Sequence, residues 1–411
     1  MAEQRKKPYI ARKHYLDRLI SFKDDQIIKV ITGIRRGGKS TLLFDIYADW
    51  LLENGVSQDQ IIKVDLEPME ARALYNPDEL YKHITDKLSA DKMNYVFIDE
   101  VQNCTGFEHV ADSLYIKKNV DVYITGSNAR MLSGELATLI SGRYVEIEIL
   151  PFSFKEFVEG TKKTDETLQQ KYTQYVRFGA FPKVAGYNGD TKKINTYLDG
   201  LYNTIFKKDI VDRNKITNVP IFEAVMRFVM ANIGSPVSAK SISDYLINQH
   251  KKVYPQAVDD FLKALAESFM AYKAERFDVK GKEILKSLGK YYVTDLGLRN
   301  YLLGFQEMDS GHVLENIIYF ELLRRGYKVF VGKVGAKEVD FVAQNGKGLE
   351  YYQVAANILD TKTRERELES LNNIKDHFQK FIITLDEYSI SNSTYNGIRV
   401  IRAIDFLMGD Y

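Results

Sequence analysis

Residues 33–41 have the composition of a loop that holds phosphate groups. The run is Gly33-Ile34-Arg35-Arg36-Gly37-Gly38-Lys39-Ser40-Thr41, and it fits the pattern G-x-x-x-x-G-K-[ST]. Glycines let the backbone curl so that successive N–H groups point at phosphate oxygens, and a following helix adds a favourable dipole. In this pattern Lys39 reaches the β- and γ-phosphates of a nucleotide, and the Ser40 hydroxyl binds Mg²⁺. The alternative, a chance glycine-rich turn, is disfavoured by the β-rich run before the loop and the helical residues after it.

Two adjacent carboxylates follow an apolar run at residues 95–98. An Asp at the carboxyl end of a strand, beside the strand that leads into the phosphate loop, supplies the second contact to the magnesium shell. Asp99 fits that place, and Glu100 can polarise a water molecule for attack on the γ-phosphate. An acidic helix cap after a buried strand is the alternative. A Glu directly after the Asp favours ATP hydrolysis over GTPase or kinase chemistry, and the chain has no N-K-x-D guanine-reading motif.

Two polar residues and one arginine complete the candidate site. Ser127 and Asn128 end the next apolar run, where a polar side chain could hold the attacking water, although a helix N-cap explains them equally well. Arg143 precedes the last apolar run of this region. In ring-forming ATPases an arginine at this place projects toward the neighbouring subunit's nucleotide, but an exposed turn arginine is an equal explanation. Arg130 and Arg177 are weaker candidates.

The first 150 residues alternate short apolar runs with amphipathic stretches, which is typical of an α/β fold with a parallel sheet. Several runs are too apolar to be half-exposed, so we expect central strands covered on both faces. The predicted strands are Gln26–Ile31, Ile61–Leu66, Tyr95–Ile98, Asp121–Thr125 and Tyr144–Leu150.

The remaining chain predicts three further blocks. Residues 152–215 are mostly helical. Helices at Ser238–Asn248 and Pro255–Glu267, followed by a hairpin over Ala271–Val293, have the outline of a winged helix. The last block predicts a helix near 312–325, three strands near 328–332, 338–343 and 349–355, a helix at 364–378 and a strand at 381–385.

Composition excludes several classes of protein. The 57 Lys and Arg balance 56 Asp and Glu, so a generally cationic nucleic-acid coat is excluded. One cysteine, Cys104, excludes a disulfide framework and a cysteine-based zinc site. The first twenty residues lack the apolar core of a secretory signal, and no run is apolar enough to span a membrane. We therefore expect a cytoplasmic protein without membrane contact.

Together these strings resemble a known family. GIRRGGKST, YVFIDEVQ, YITGSNARML, SGRY and PFSFKEF are similar to AAA+-type (AAA_14-like) bacterial and archaeal P-loop ATPases that carry a C-terminal DUF4143-like domain. The similarity continues through YVRFGAFPKV, KKDIVDR, KYYVTDLGLRN, LENIIYFELLRRGY, KEVDFVAQ and YYQVAANI. The resemblance implies a AAA+ core at 1–157, a helical lid at 158–218, a winged-helix segment at 219–305 and a restriction-endonuclease-like α/β domain at 306–411.

The last block allows a separate test of nuclease chemistry. Restriction-like nucleases place a helix Glu, a strand Asp and a Glu-x-Lys around Mg²⁺. Glu315 and Asp340, with Glu338 beside it, supply the acids, but the Glu-x-Lys position is Gln353-Val354-Ala355. The lysine is absent there, although Lys333 or Lys337 could substitute from a nearby strand. We therefore predict a catalytically degenerate domain.

Nucleic-acid binding by the winged-helix segment stays open. The candidate recognition helix Pro255–Glu267 is acidic and would repel phosphates. The hairpin is basic and could contact backbone phosphates without reading sequence, but a structural or protein-binding role fits equally. Its lysines are Lys273, Lys280, Lys282, Lys286 and Lys290.

The sequence as a whole predicts a Mg²⁺-dependent AAA+ ATPase, with ATP and Mg²⁺ as cofactors, whose hydrolysis changes the conformation of the appended domains. One alternative is an ATP-gated switch or scaffold with negligible turnover, and another is an ATP-coupled DNA nuclease. An arginine acting between subunits would require a homo-oligomer.

Overall fold

The computed structural model describes residues 9–129, 140, 142–161, 165–305, 310–386 and 393–409. The chain divides into two compact units, Met1–Pro151 with Glu267–Phe269 and Phe152–Ala266 with Met270–Tyr411. Arg130 and most of the helix predicted after Asn128 lie outside the described residues. Within the described ranges, no helix combines the length and the apolar character needed to cross a membrane.

The first unit is built on a five-stranded parallel sheet. Its strand order is β2-β3-β4-β1-β5, and all four pairings are parallel. The strands are β1 (Ile28–Thr32), β2 (Ile61–Asp65), β3 (Asn94–Asp99), β4 (Val120–Thr125) and β5 (Tyr144–Glu148). All five predicted strands are confirmed, with small shifts at their ends. One detail was wrong: β3 is not beside the phosphate-loop strand β1, because β4 lies between them.

Alternate residues along the strands supply two cores, one on each face of this sheet. Val30 belongs to one buried cluster and Ile31 to the other, and Val96 and Phe97 divide in the same way. Because side chains alternate across a strand, both faces must be covered by helices. The helical segments are Lys13–Ser21, Lys39–Thr41, Leu42–Tyr47, Ala48–Glu53, Gln58–Gln60, Met69–Tyr75, Pro77–Thr85, Val101–Asn103 and Phe107–Tyr115.

The second unit contains the helices that were predicted after residue 152. The helices of the first part are Phe154–Gly160, Leu168–Phe178, Pro182–Ala185, Thr191–Thr204, Ile205–Asp212 and Val219–Ala231. Ala239–Asn248, Pro255–Glu267, Leu296–Leu303, Ser310–Arg324, Thr361–Asn372 and Ala403–Met408 follow. The sequence did not predict Val219–Ala231, Leu296–Leu303 or Ala403–Met408, and the helix predicted at 364–378 ends at Asn372.

A nine-stranded mixed sheet runs through the second unit. Its order is β13-β14-β12-β11-β10-β9-β7-β8-β6. The strands are β6 (Pro236–Val237), β7 (Ala271–Asp278), β8 (Glu283–Val293), β9 (Lys328–Val334), β10 (Lys337–Asn345), β11 (Gly348–Ala355), β12 (Gln379–Thr384), β13 (Thr394–Tyr395) and β14 (Ile398–Arg402).

The predicted hairpin and the predicted C-terminal strands belong to this one sheet. The hairpin β7–β8 joins the later strands through a parallel pairing of β7 with β9. The boundary expected near residue 305 therefore falls between strands of a continuous sheet. The division of the chain into four domains stays a prediction.

Candidate functional site

The loop after β1 folds tightly against the end of β5. Gly33 has φ +134°, and a Cβ at this position would lie 2.1 Å from the carbonyl oxygen of Ile149. Gly38, which immediately precedes the helix starting at Lys39, has φ +102°. Residues with side chains rarely adopt these conformations, and at Gly33 the space is filled as well. The two glycines therefore give the loop its shape.

The ammonium group of Lys39 lies inside this loop. It donates hydrogen bonds to the carbonyl oxygens of Gly33 at 3.0 Å and Ile34 at 3.2 Å, and the residue is buried. Its Nζ atom is 3.8 Å from Oε1 of Glu100. The loop thus holds a positive charge beside backbone N–H groups at a helix start, which is an arrangement that binds phosphate.

Ser40 and Asp99 meet at the carboxyl edge of the sheet. The Ser40 hydroxyl donates to Oδ2 of Asp99 at 2.6 Å, and the Thr125 hydroxyl donates to Oδ1. Burial raises the pKa of Asp99, although both hydrogen bonds oppose this effect. A hydroxyl and a carboxylate are hard oxygen donors, and Mg²⁺ often binds one or two such groups together with substrate phosphates. These residues therefore fit a magnesium ion that a nucleotide would bring.

Glu100 is fixed beside this pair. It is buried with φ +52°, and its Oε2 atom accepts hydrogen bonds from the Ser127 hydroxyl at 3.2 Å and from the Gln102 amide. Burial alone would raise the pKa of Glu100. The charges of Lys39 and Arg35, with the two hydrogen bonds, outweigh burial and lower it. The carboxylate is therefore ionised at neutral pH and can accept a proton.

Arg35 is held by an acidic partner outside the loop. Its Nη1 atom lies 2.8 Å from Oε1 of Glu67, and Nη2 of Arg36 lies 3.8 Å from the same oxygen. Both arginines thus add positive charge beside the loop, and the charge of Arg35 also acts on Glu100.

Ser127 and Asn128 follow β4, which lies between the strands that carry the loop and Asp99. Both residues are buried. The Ser127 hydroxyl contacts Glu100 directly, so the structure brings this residue to the site. That either side chain holds an attacking water molecule stays a prediction.

Arg143 lies at the opposite end of the sheet. Its carbonyl oxygen accepts the N–H of Ile28, so it sits where β1 and β5 begin, whereas the loop follows their ends. Five strand residues separate the two edges by about 16 Å. The guanidinium pairs with Asp112 at 2.6 Å. Arg143 therefore cannot reach the loop of its own chain, and a role at a neighbouring subunit stays a prediction.

Sequence reasoning missed residues that support the site, among them Arg12, Gln102 and Thr125. The buried guanidinium of Arg12, in a residue with φ +46°, donates to the carbonyl oxygens of Gly37 at 2.8 Å and Leu150 at 2.7 Å. It ties the phosphate loop to the segment after β5. Gln102 holds Glu100, as described above. Only the short spacing of Gln102 from Glu100 could have indicated its place, whereas nothing in the sequence marks Arg12.

The second unit corrects the expected lack of a lysine among the C-terminal acids. Lys290 on β8 places Nζ 2.9 Å from Oε1 of Glu315, 2.8 Å from Oε1 of Glu338 and 3.9 Å from Oδ1 of Asp340. Sequence reasoning named Lys333 or Lys337 as residues that could substitute, and Lys337 pairs with Glu369. Lys290 is also buried, so its inclusion among hairpin lysines that could contact phosphates was wrong.

Comparisons with known proteins agree with the geometry of the first unit. A model of the AAA domain matches residues 25–158, and a model of a domain of unknown function (DUF8612) matches residues 169–309. An uncharacterized protein of Haemophilus influenzae is 37% identical over 98% of this chain and 99% of its own length. An uncharacterized protein of Methanocaldococcus jannaschii is 31% identical over 90% of this chain and 82% of its own.

This chain belongs to one AAA-type P-loop ATPase family with these two proteins. The Walker-type ATPase of Pyrococcus abyssi is a structural neighbour with a TM-score of 0.52 at 16% identity. It aligns with 72% of this chain and 98% of its own chain, and it supports the fold alone. The AAA domain thus occupies the first unit and extends slightly beyond Pro151. The expected DUF4143-like character of the C-terminal block is not among these matches.

Replacement of Lys39 by alanine should weaken nucleotide binding. The change removes the positive charge inside the loop, and a charge-assisted contact of this kind corresponds to roughly a 10- to 100-fold loss of affinity. Calorimetric titration with ATP and Mg²⁺ measures the effect. Lys118 is an exposed lysine before β4, at the other end of the sheet. The Lys118→Ala variant loses the same charge there and should bind ATP normally. Equal affinity of both variants would contradict the assignment of the loop.

Proposed function

We propose that this protein is a Mg²⁺-dependent ATPase of AAA+ type. The observation that carries the proposal is the convergence of Lys39, Ser40, Asp99 and Glu100 at one edge of a parallel sheet. A phosphate-binding cation, two oxygen donors for magnesium and an ionised carboxylate are the groups that γ-phosphate hydrolysis needs. The membership in a AAA-type P-loop family supports the same reaction class.

The residues of the loop would bind the triphosphate. Residues 33–41 provide N–H groups and the Lys39 ammonium, which exchanges its carbonyl partners Gly33 and Ile34 for β- and γ-phosphate oxygens. Ser40 and Asp99 would hold Mg²⁺, which when bound neutralises charge that develops on the phosphate oxygens. Arg35 and Arg36 add positive charge around the loop.

Glu100 would act as the base. Its carboxylate accepts a proton from water as the water oxygen forms a bond to the γ-phosphorus and the bond to ADP breaks. Ser127 and Gln102 orient this carboxylate through Oε2, and the other oxygen stays toward Lys39. Asn128, directly after Ser127, is proposed as a second group that holds the water.

Hydrolysis would change the conformation of the second unit. We infer a homo-oligomer in which Arg143 of one subunit serves the nucleotide of the next, because this residue cannot serve its own. Contact of nucleic acid with the exposed lysines Lys273, Lys280 and Lys282 of the hairpin is a further proposal. Steady-state ATPase rates measured with and without DNA, RNA and cell lysate would identify the activating partner.

A switch with negligible turnover is the second candidate. The lowered pKa of Glu100 favours it, because a carboxylate with a low pKa is a weaker base. Single-turnover hydrolysis with excess enzyme separates the two functions. ATP that stays intact over many minutes with every partner tested would favour the switch.

Replacement of Glu100 by glutamine should separate binding from chemistry. Glutamine keeps the shape of the side chain but cannot accept a proton, so turnover should fall roughly 10²-fold or more while ATP still binds. Phosphate release and ATP affinity are measured on the same preparation. Glu70→Gln, an exposed acid of the first unit, is the matched control and should keep the parent rate. A Glu100 variant as fast as the parent would assign the base to another residue.

Replacement of Gln102 by leucine should move the acidic limb of the pH–rate profile. The amide hydrogen bond lowers the pKa of Glu100, so its loss raises that pKa and protonates the base at a higher pH. The limb should shift upward by about one pH unit, the scale of one hydrogen bond to a charged group. Gln26→Leu, an exposed glutamine, should leave the profile unchanged. Superimposable profiles for the two variants would remove Gln102 from the mechanism.

Mixed oligomers should reveal whether Arg143 acts between subunits. Arg143→Ala subunits and Glu100→Gln subunits are each expected to be inactive alone. Mixing them should restore part of the turnover, because some junctions then pair an intact Glu100 with an intact Arg143. A mixture with no more activity than its components, or full activity of a strictly monomeric parent, would refute the proposed role.

A further inference from the structure

The second unit contains a buried group of charged side chains that the proposed ATPase reaction does not use. We call it the Lys290 cluster, and its members are Lys290, Glu315, Glu338 and Asp340. The cluster combines strands β8 and β10 with the helix Ser310–Arg324. All of its members belong to the second unit, and none of them is a residue of the nucleotide site.

The ammonium group of Lys290 lies at the centre of the cluster. Its Nζ atom is 2.9 Å from Oε1 of Glu315, 2.8 Å from Oε1 of Glu338 and 3.9 Å from Oδ1 of Asp340. Oε1 of Glu315 also accepts the hydroxyl of Tyr292 at 2.5 Å. Lys290 is only 5% exposed, whereas the Glu338 side chain is 31% exposed and marks the open side of the cluster.

The curvature of the sheet brings these residues together. Strands β8 and β10 are separated in the sheet order by β7 and β9, which in a flat sheet corresponds to about 14 Å. A lysine side chain cannot span that distance. The register of the strand pairing shifts at two places beside the cluster. One shift lies between Ala274 and Arg276 on β7, and the other between Val339 and Val342 on β10. Bulges at such shifts bend a sheet, and a bend of this kind would bring Lys290 to the acids of β10.

The electrostatics of the cluster depend on the lysine. Burial alone would lower the pKa of Lys290, but the charges of Glu315, Asp340 and Glu338 raise it, so the ammonium stays protonated. Burial and the charge of Glu315 raise the pKa of Asp340 well above its usual value, while Lys290 opposes them. Without the ammonium, buried carboxylates would be left without a counter-charge, which is strongly unfavourable.

Other ligands that a metal ion would need are engaged elsewhere. Gln353, at the place of the second strand acid, donates its amide to Glu367 at 2.7 Å. Oδ2 of Asp340 accepts the N–H of Val354 at 2.8 Å. Among the residues that the structure describes, no group of three or more His, Cys, Asp or Glu side chains is arranged to hold a metal ion. The acids are thus arranged around an ammonium group.

We propose that Lys290 is the resident cation of this cluster, that it keeps a divalent metal ion from binding Glu315, Glu338 and Asp340, and that its removal uncovers a site for such an ion. Lys290 on the hairpin strand β8 would then occupy the cation position among these acids permanently. The predicted lack of nuclease activity would then follow from an occupied cation position and not from the absence of a lysine two residues after Gln353.

The test measures Mn²⁺ binding by electron paramagnetic resonance in the full-length chain without nucleotide. Four proteins are compared: the parent, Lys290→Met, Lys290→Arg and the double variant Lys290→Met with Asp340→Asn. Methionine keeps an unbranched side chain, one atom shorter, without the charge, and arginine keeps the charge. The first unit is the same in all four proteins, so any Mn²⁺ bound there cancels in the comparison.

We expect the methionine variant alone to bind an additional Mn²⁺ ion per chain, and the double variant to lose it. The melting temperature of Lys290→Met should fall by several degrees in EDTA and recover on addition of Mn²⁺. If this variant does not fold in EDTA, refolding with Mn²⁺ is the readout, and recovery supports the proposal.

Three results would overturn the proposal. One is a folded Lys290→Met protein that binds no more Mn²⁺ than the parent, and another is an unfolded one that Mn²⁺ does not rescue. The third is Mn²⁺-dependent DNA cleavage by the parent that Lys290→Met abolishes, because Lys290 would then be part of a working metal site. None of these results depends on ATP hydrolysis by the first unit.

Discussion

The hydrogen bond from the Ser40 hydroxyl to Asp99 joins two parts of the chain that are far apart in sequence. It is possible only because β1 and β3 run parallel and end at the same edge of the sheet. The loop that follows β1 then faces the carboxylates that follow β3. The contact between Lys39 and Glu100 depends on the same common edge. Parallel strand order is therefore the constraint on which the chemistry depends.

Strand β4 lies between these two strands, and residues at its end contact both Asp99 and Glu100. The Thr125 hydroxyl bonds Asp99, and the N–H of Glu100 donates to the same hydroxyl at 3.2 Å. Ser127 continues the contact to the Glu100 carboxylate. A residue with φ +52° at position 100 turns the chain away from β3 at this point. Strand β4, which sequence reasoning did not place between β1 and β3, thus supports both the proposed metal ligand and the proposed base.

Local sequence patterns predicted the local parts of this structure. The apolar runs gave all five strands of the first sheet, and the glycine pattern predicted the loop, because each depends on neighbouring residues. Arg12 and Lys290 could not be predicted in the same way. Arg12 bonds a carbonyl 138 positions away, and Lys290 meets Asp340 across two intervening strands. Sheet order and bulges determine such contacts, and no short pattern encodes them. The joining of the hairpin to the C-terminal strands was missed for the same reason.

Lys39 and Lys290 differ in the partners of their ammonium groups. Lys39 donates to two backbone carbonyl oxygens, which incoming phosphate oxygens can replace, and it lies 3.8 Å from one carboxylate oxygen, Oε1 of Glu100. Lys290 instead lies within 3 Å of two carboxylates. An anion would have to displace those charges, and a metal ion would have to displace the ammonium, at a desolvation cost that burial increases. The first lysine is thus available to a ligand, whereas the second is committed to its own chain.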